Sequence, residues 1–285
     1  MKRLSFIIFL FSAMSLADTT NVSGNVSGSW TTSNSPYIVT NNLVLQPSDT
    51  LTINAGVEIR FDGNYRFDIF GTFLAVGAEA DSITFTRNSS TNWMSLNFAD
   101  DADDNSQMQY CIVEYGSESG YDPYWGVINL NASSPTISNC RISDCSGDGI
   151  YLHYSDGVIS NNLITDISGA GIKLNESTGT ITGNTLIEIW STSILVQENS
   201  NSTYISNNTI QGGYWYGIYA NNSSSLTISQ NQITNKSGYG IYIGNYCSYA
   251  SIDSNAITGN NGAGIYLYYD NDYLTIENNT ITDNE

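Results

Sequence analysis

The sequence predicts an all-β solenoid, a single-stranded parallel β-helix with about 22–24 residues in each coil. Three observations predict it. A motif is written seven times, beginning at Ile137, Ile159, Ile181, Ile205, Ile228, Ile252 and Ile276, and these starts lie 22, 22, 24, 23, 24 and 24 residues apart. A fixed period of this size marks stacked coils. Within each copy the apolar residues alternate with a period of two rather than 3.6: Ile150 and Leu152 flank Tyr151, Ile172 and Leu174 flank Lys173, and Ile241 and Ile243 flank Tyr242. Finally, an Asn recurs at one corner of six successive copies (Asn162, Asn184, Asn208, Asn231, Asn255, Asn279). Asn tolerates a left-handed backbone there, and its amide can bond to the coils above and below.

Along the chain, Met1-Lys2-Arg3, the apolar run Leu4 to Phe11 and Ser15-Leu16-Ala17 ahead of Asp18 have the layout of a signal peptide over residues 1–17. The apolar run is shorter than the ~20 residues that span a bilayer, so no transmembrane segment is expected in the mature chain. Residues 18–107 are expected to form an N-terminal cap and the first, irregular coils; Leu51 and Phe73 already fall in step, 22 residues apart. Residues 108–285 are the regular coils, opening with QYCIVEYG at 109–116, where Cys111 and then Cys140 take the Asn slot. A bridge between these two Cys and a stack of free thiols both fit that placement, and side chains in parallel register favour the thiols. One coil has no core of its own, but stacking at ~4.8 Å lays Ile on Ile and buries the column continuously. The seventh copy stops at Asp283-Asn284-Glu285, before its Gly-Ile strand. An uncovered coil exposes backbone and apolar groups, so continuation into a cap or sorting domain is expected.

The 285 residues carry 27 Asp and Glu against 8 Lys and Arg, a net charge of -19, which argues against a nucleic-acid partner. Twenty-five Gly, 20 Tyr and a 40% hydrophobic content exclude a disordered acidic tail. Four Cys are too few for a disulfide-built scaffold.

The repeated Asn-x-Ile-x-Asp-x-x-x-x-Gly-Ile-x-Leu pattern resembles that of the right-handed parallel β-helix proteins of the pectin-lyase-like superfamily, over about residues 30–285. The stretch 51–87 is similar to the first coils of secreted members of unassigned function. The resemblance implies a right-handed coil and leaves activity open, since the fold carries lyases, hydrolases, epimerases and adhesins. Polygalacturonase-like members have clustered Asp and a Gly-His-Gly; here the single His, His153, stands between Leu152 and Tyr154. Epimerase-like members have an Asp-Pro-His where this chain has Asp122-Pro123-Tyr124.

Four sets of residues could carry function. The outward positions of the Gly-Ile-x-Leu strands form a row, Tyr151, Lys173, Leu195, Tyr219, Tyr242 and Tyr266, whose rings could stack on sugars or on one another. A longer loop holding Tyr121, Tyr124 and Trp125 is expected to overhang the row and make a groove. Asp144, Asp166 and Glu188 recur seven residues into successive copies, a carboxylate stack suited to acid–base work or to a cation. Asp100, Asp101, Asp103 and Asp104 offer oxygen ligands for calcium or else form a solvated acidic turn. The expectation is a secreted or cell-surface protein that binds extracellular polysaccharide through the Tyr row without catalysis, because Lys173 is the only basic residue in it. A polysaccharide lyase or glycoside hydrolase working in the same groove through Asp144, Asp166, Glu188 and Lys173 is the alternative. A structural stalk or adhesin repeat without a glycan is the third reading.

Overall fold

The computed structural model describes residues 19–118 and 125–285; the expected signal peptide lies outside them. The chain is a parallel β-solenoid with three strands to a regular coil, and its only helix among the described residues is a single 3-10 turn, Thr32–Asn34. The first face is a sheet of eleven parallel strands from Gly28–Trp30 to Thr275–Glu277. The second face carries strands such as Arg141–Cys145 and Leu163–Ile167, and the third carries Asp148–His153, Ile172–Asn175, Ile194–Gln197, Ile218–Ala220, Ile241–Ile243 and Ile265–Leu267. The long early strand Tyr37–Leu45 pairs into both, which joins them as one sheet.

The register is the one the repeat predicts: Ile137 lies on Ile159, Ile159 on Ile181 and Leu51 on Phe73. The inward column is fully buried, each large aliphatic side chain contributing about 1.5–3 kcal/mol. Phe61, Phe67, Phe73, Phe85 and Phe98 fill the early coils, and Ile fills the later ones. At the last coil the apolar side chains are uncovered, with Ile276 and Ile281 exposed.

The first corner is an amide ladder. Asn162, Asn184, Asn208 and Asn231 each donate Nδ2 to Oδ1 of the Asn on the next coil at 3.0 Å, and Asn255 does so to Asn279 at 2.9 Å. The ladder Asn itself is not the left-handed residue. That strain falls one position earlier, on Asn161, Gly183, Asn207, Gln230, Ser254 and Asn278, with φ between 53° and 67°. Division of labour explains the shift: one residue turns the chain so that the next can aim its amide along the axis. Cys140 and Cys111 do occupy the ladder slot. The Cys140 N–H donates to Asn162 Oδ1 at 2.9 Å, and the Cys111 N–H to Cys140 Sγ at 3.4 Å. All four Cys are free and buried, and burial pushes the Cys145 thiol up to about 12.

The third corner repeats the device with hydroxyls: the N–H groups of Ser155, Ser177 and Ser200 donate to Oγ of Ser177, Ser200 and Ser223, each at 3.1 Å. One inward position breaks the apolar rule. Lys236 is fully buried, and its Nζ donates to Ser193 Oγ, two coils away, at 3.1 Å. The intervening coil has Gly213 at the matching position, with no side chain to block the lysine stem. Desolvation lowers the Lys236 ammonium to about 8, against a smaller opposing pull from Glu188.

Candidate functional site

The outward row of the third face is formed as predicted, with Tyr151 paired to Lys173, Lys173 to Leu195, Leu195 to Tyr219, Tyr219 to Tyr242 and Tyr242 to Tyr266 on successive coils. Its exposure is not uniform. Tyr151 is 2% exposed, which removes it from any open contact surface. Lys173 Nζ lies 5.0 Å from the centre of its ring, and Asn175 Nδ2 donates to its hydroxyl at 3.2 Å. Upstream the row continues as Asp68, Asn97 and Asn129, with both Asn buried. The open part is therefore the second half of the row.

There the rings pack on one another. Tyr219 and Tyr242 stack at 5.1 Å with 14° between planes, and Tyr242 and Tyr266 at 5.1 Å with 20°. Tyr216 and Tyr239, each three residues before a row Tyr, join them: Tyr216 stacks on Tyr219 at 5.4 Å and on Tyr242 at 5.2 Å, and Tyr239 meets Tyr266 at 5.0 Å. Coil spacing and ring stacking agree, so one Tyr per coil is a stable arrangement. Much of each ring face is thereby spent on a neighbouring Tyr, and the platform offers mainly edges and phenol hydroxyls. Burial and neighbouring phenols raise the Tyr219 and Tyr242 hydroxyls above their ordinary value, which keeps them neutral donors.

Leu195 interrupts the stack. Beside it the surface sinks into a hollow lined by Ser191, Thr192, Leu195, Trp215, Tyr216 and Tyr219. Trp215 is 59% exposed at the rim, and Trp190 and Tyr214 stack at 5.3 Å on the corner behind it. A flat apolar wall beside hydroxyl donors suits a ring with one apolar face and polar edges. The repeat made Tyr216 and Tyr239 legible, since Tyr-Gly-Ile-Tyr is written in both copies; Trp215, Trp190 and Tyr214 carried no periodic signal.

A charged cluster stands three coils before Tyr242. Lys173 Nζ is 3.6 Å from Asp148 Oδ2, and Asp148 Oδ1 accepts the Ala170 N–H at 2.7 Å. Burial holds the Asp148 carboxyl above its usual range despite Lys173, and burial with the Asp148 charge does the same for Glu118. Neither carboxylate stood out in the sequence, because only the coil closure brings Glu118 and Asp148 together. Trp125 lies at this end, where its carbonyl accepts the Asp148 N–H at 3.2 Å. Tyr121 and Tyr124 lie outside the described residues. His153 closes the strand Asp148–His153 and is half-buried, its Nδ1 2.9 Å from Asn131 Oδ1.

The other two acidic sets do different work. Asp144, Asp166 and Glu188 are exposed, with φ of 57°, 56° and 53°, and the same corner is taken in later coils by Gly212, Asn235, Gly259 and Asp283, all left-handed as well. The recurrence answers a backbone requirement that Asp, Asn and Gly meet, and the register places Asp144, Asp166 and Glu188 on successive coils. In the early acidic turn, Asp103 accepts from Thr72 Oγ1 and the Asn105 N–H, and Asp104 Oδ1 accepts the Ser134 N–H at 2.6 Å. Hydrogen bonding lowers the Asp103 carboxyl. Among the described residues no three His, Cys, Asp or Glu side chains gather so as to hold a metal ion.

Two segments, residues 71–203 and 192–285, match the family model of the right handed beta helix region. A mutant of the periplasmic alginate epimerase AlgG is similar in structure, with a TM-score of 0.55 and 13% identity over 87% of this chain and 75% of that one. A double mutant of the same epimerase gives 0.51 and 12% over the same shares. Endopolygalacturonase I from Stereum purpureum gives 0.44 and 14% over 91% and 94%. At these identities the likeness is one of fold. None of the curated proteins matches the chain, and no helix among the described residues is long and apolar enough to cross a membrane.

Proposed function

The chain belongs to the right-handed β-helix family, and we propose that it is an exported member that binds polysaccharide along its third face. The observation that carries this reading is the tyrosine platform, in which Tyr216, Tyr219, Tyr239, Tyr242 and Tyr266 form one ring-to-ring surface that ends at the hollow over Leu195. A sugar chain laid along the axis meets one phenol hydroxyl per coil, a repeat close to the length of one pyranose unit. One ring of that chain sits in the hollow against Trp215 and Tyr219. The charged start and apolar run of residues 1–17 support export. The polysaccharide-acting names of the β-helix proteins it resembles are compatible with a glycan ligand.

A second reading rests on Asp148. A carboxyl whose hold on its proton is strengthened by burial, beside an ammonium, is the kind of group that can serve a leaving sugar oxygen as a proton donor, so a hydrolase or lyase centred on Asp148, Glu118 and Lys173 is the alternative to binding alone. One experiment separates them. In affinity electrophoresis on gels containing soluble polysaccharide, Trp215→Ala and Tyr219→Ala are expected to lose retardation, and the same polysaccharides incubated with the parent protein are expected to release no reducing or unsaturated ends. Release of ends that Asp148→Asn abolishes establishes the catalytic reading; retardation unchanged in both aromatic variants removes the platform.

A further inference from the structure

Resting on the platform reading, we propose that the ligand is a neutral polysaccharide, and that the third face is built to turn uronate polymers away. Beyond Arg141 the chain carries thirteen Asp and Glu against only two Lys. Neither Lys is available to an anion. Lys236 is buried in the core, and Lys173 is held by Asp148 with Glu118 close by. The platform and the hollow contribute phenols, an indole, Leu195 and the hydroxyls of Ser191 and Thr192, with no charged group among them.

Carboxylates stand at both ends of this uncharged strip, and the coils of Tyr219 and Tyr242 between them carry none at either corner. At the coil of Leu195, exposed Glu188 stands on the corner by which the chain enters the third face and exposed Glu198 on the corner by which it leaves. At the coil of Tyr266, exposed Asp270 and Asp272 stand on the leaving corner. A polymer with one carboxylate per sugar would run between like charges at the two ends with no cation to meet it, a juxtaposition that discriminates against a ligand. A neutral chain meets no such opposition and uses the contacts the strip offers. A cationic polymer is drawn to the two ends, but only by exposed charges that salt screens, whereas phenol and indole contacts are insensitive to salt.

The test is titration of the full chain with hydroxyethylcellulose and galactomannan as neutral probes, alginate and polygalacturonate as uronates, and glycol chitosan as a cation, each at low and high sodium chloride with a chelator present. The expected result is that a neutral probe binds with an affinity unchanged by salt, that Trp215→Ala weakens it about tenfold or more, and that neither uronate binds at low salt. Uronate bound at low salt as tightly as any neutral probe, or chitosan bound alone, overturns the neutral class; loss of that binding in Trp215→Ala would still leave the platform reading standing. Failure of all five probes to bind overturns both. Trp215 is 59% exposed, so its replacement leaves the fold intact, and the thermal unfolding midpoint of the variant verifies this.

Discussion

The outward row of the third face has two halves that meet the same demand with different chemistry. In the first half, Asn129 Nδ2 donates to Asn97 Oδ1 and Asn97 Nδ2 to Asp68 Oδ1, both at 2.9 Å, while Arg66 Nε holds Asp68 at 2.8 Å. In the second half, Tyr219, Tyr242 and Tyr266 stack ring on ring. Each half places one like side chain per coil, and each links neighbours along the axis. In the first, Asn97 and Asn129 are buried, so their polar atoms need partners; in the second, Tyr219 and Tyr242 are half-buried and Tyr266 is exposed. Stacking alone therefore does not mark a binding surface. Exposure separates the two halves, and among the rings of the row it begins only past Lys173.

Removing a link from the covered half should cost most. Asn97→Leu leaves the buried Ser95 hydroxyl without its acceptor and cuts the run between Asp68 and Asn129, a loss of about 3 kcal/mol in chemical denaturation. A loss below roughly 0.5 kcal/mol would mean that the covered half tolerates unpaired groups as the open half does.

Lys236 sharpens the point because it is a buried polar group with a single hydrogen-bond partner. Its folded value of about 8 lies below the 10.5 of an unfolded lysine. The native state is thus penalised at full strength below pH 8, and the penalty fades as pH rises toward 10.5. Lys236→Met is expected to stabilise the protein by about 2 kcal/mol at pH 7. The advantage over the parent should shrink between pH 8 and 10, measured as the difference between the two proteins so that tyrosine ionisation cancels. An advantage that stays constant across that range would show that Lys236 is not the titrating group.

The smallest effect belongs to the open half. Tyr242→Ala removes ring contacts to Tyr216, Tyr219 and Tyr266 and should cost about 1 kcal/mol, whereas Tyr242→Phe keeps the stack and should fall within about 0.5 kcal/mol of the parent. If Tyr242→Phe proves as costly as the Asn97 substitution, its hydroxyl has a structural partner and the contrast between the halves fails.

The fold was legible because its signals are local and repeated: the fixed period, the period-two alternation and the Asn slot. The platform was legible for the same reason, since Tyr219, Tyr242 and Tyr266 recur in register. Burial of Tyr151 was not, because what surrounds a row position depends on other coils and not on its own copy. Asp148 and Glu118 escaped notice likewise, lying 30 residues apart and meeting only through the stack. Asp144, Asp166 and Glu188 were legible as a recurring set for a second reason besides any chemistry. Their regularity also encodes a left-handed turn.

The amide ladder has a consequence for how such a molecule can change. Every rung bonds in the same direction, Nδ2 of one coil to Oδ1 of the next, so the ladder lets one coil follow another without a mismatch at that corner. A coil behaves as an interchangeable cassette. Duplicating residues 252–275 would add one more Tyr to the platform and one more rung to the ladder, leaving the coils on either side with the neighbours they already fit. On the proposed reading, the length of sugar chain that the face could hold would then grow by whole coils, as a count rather than a redesign.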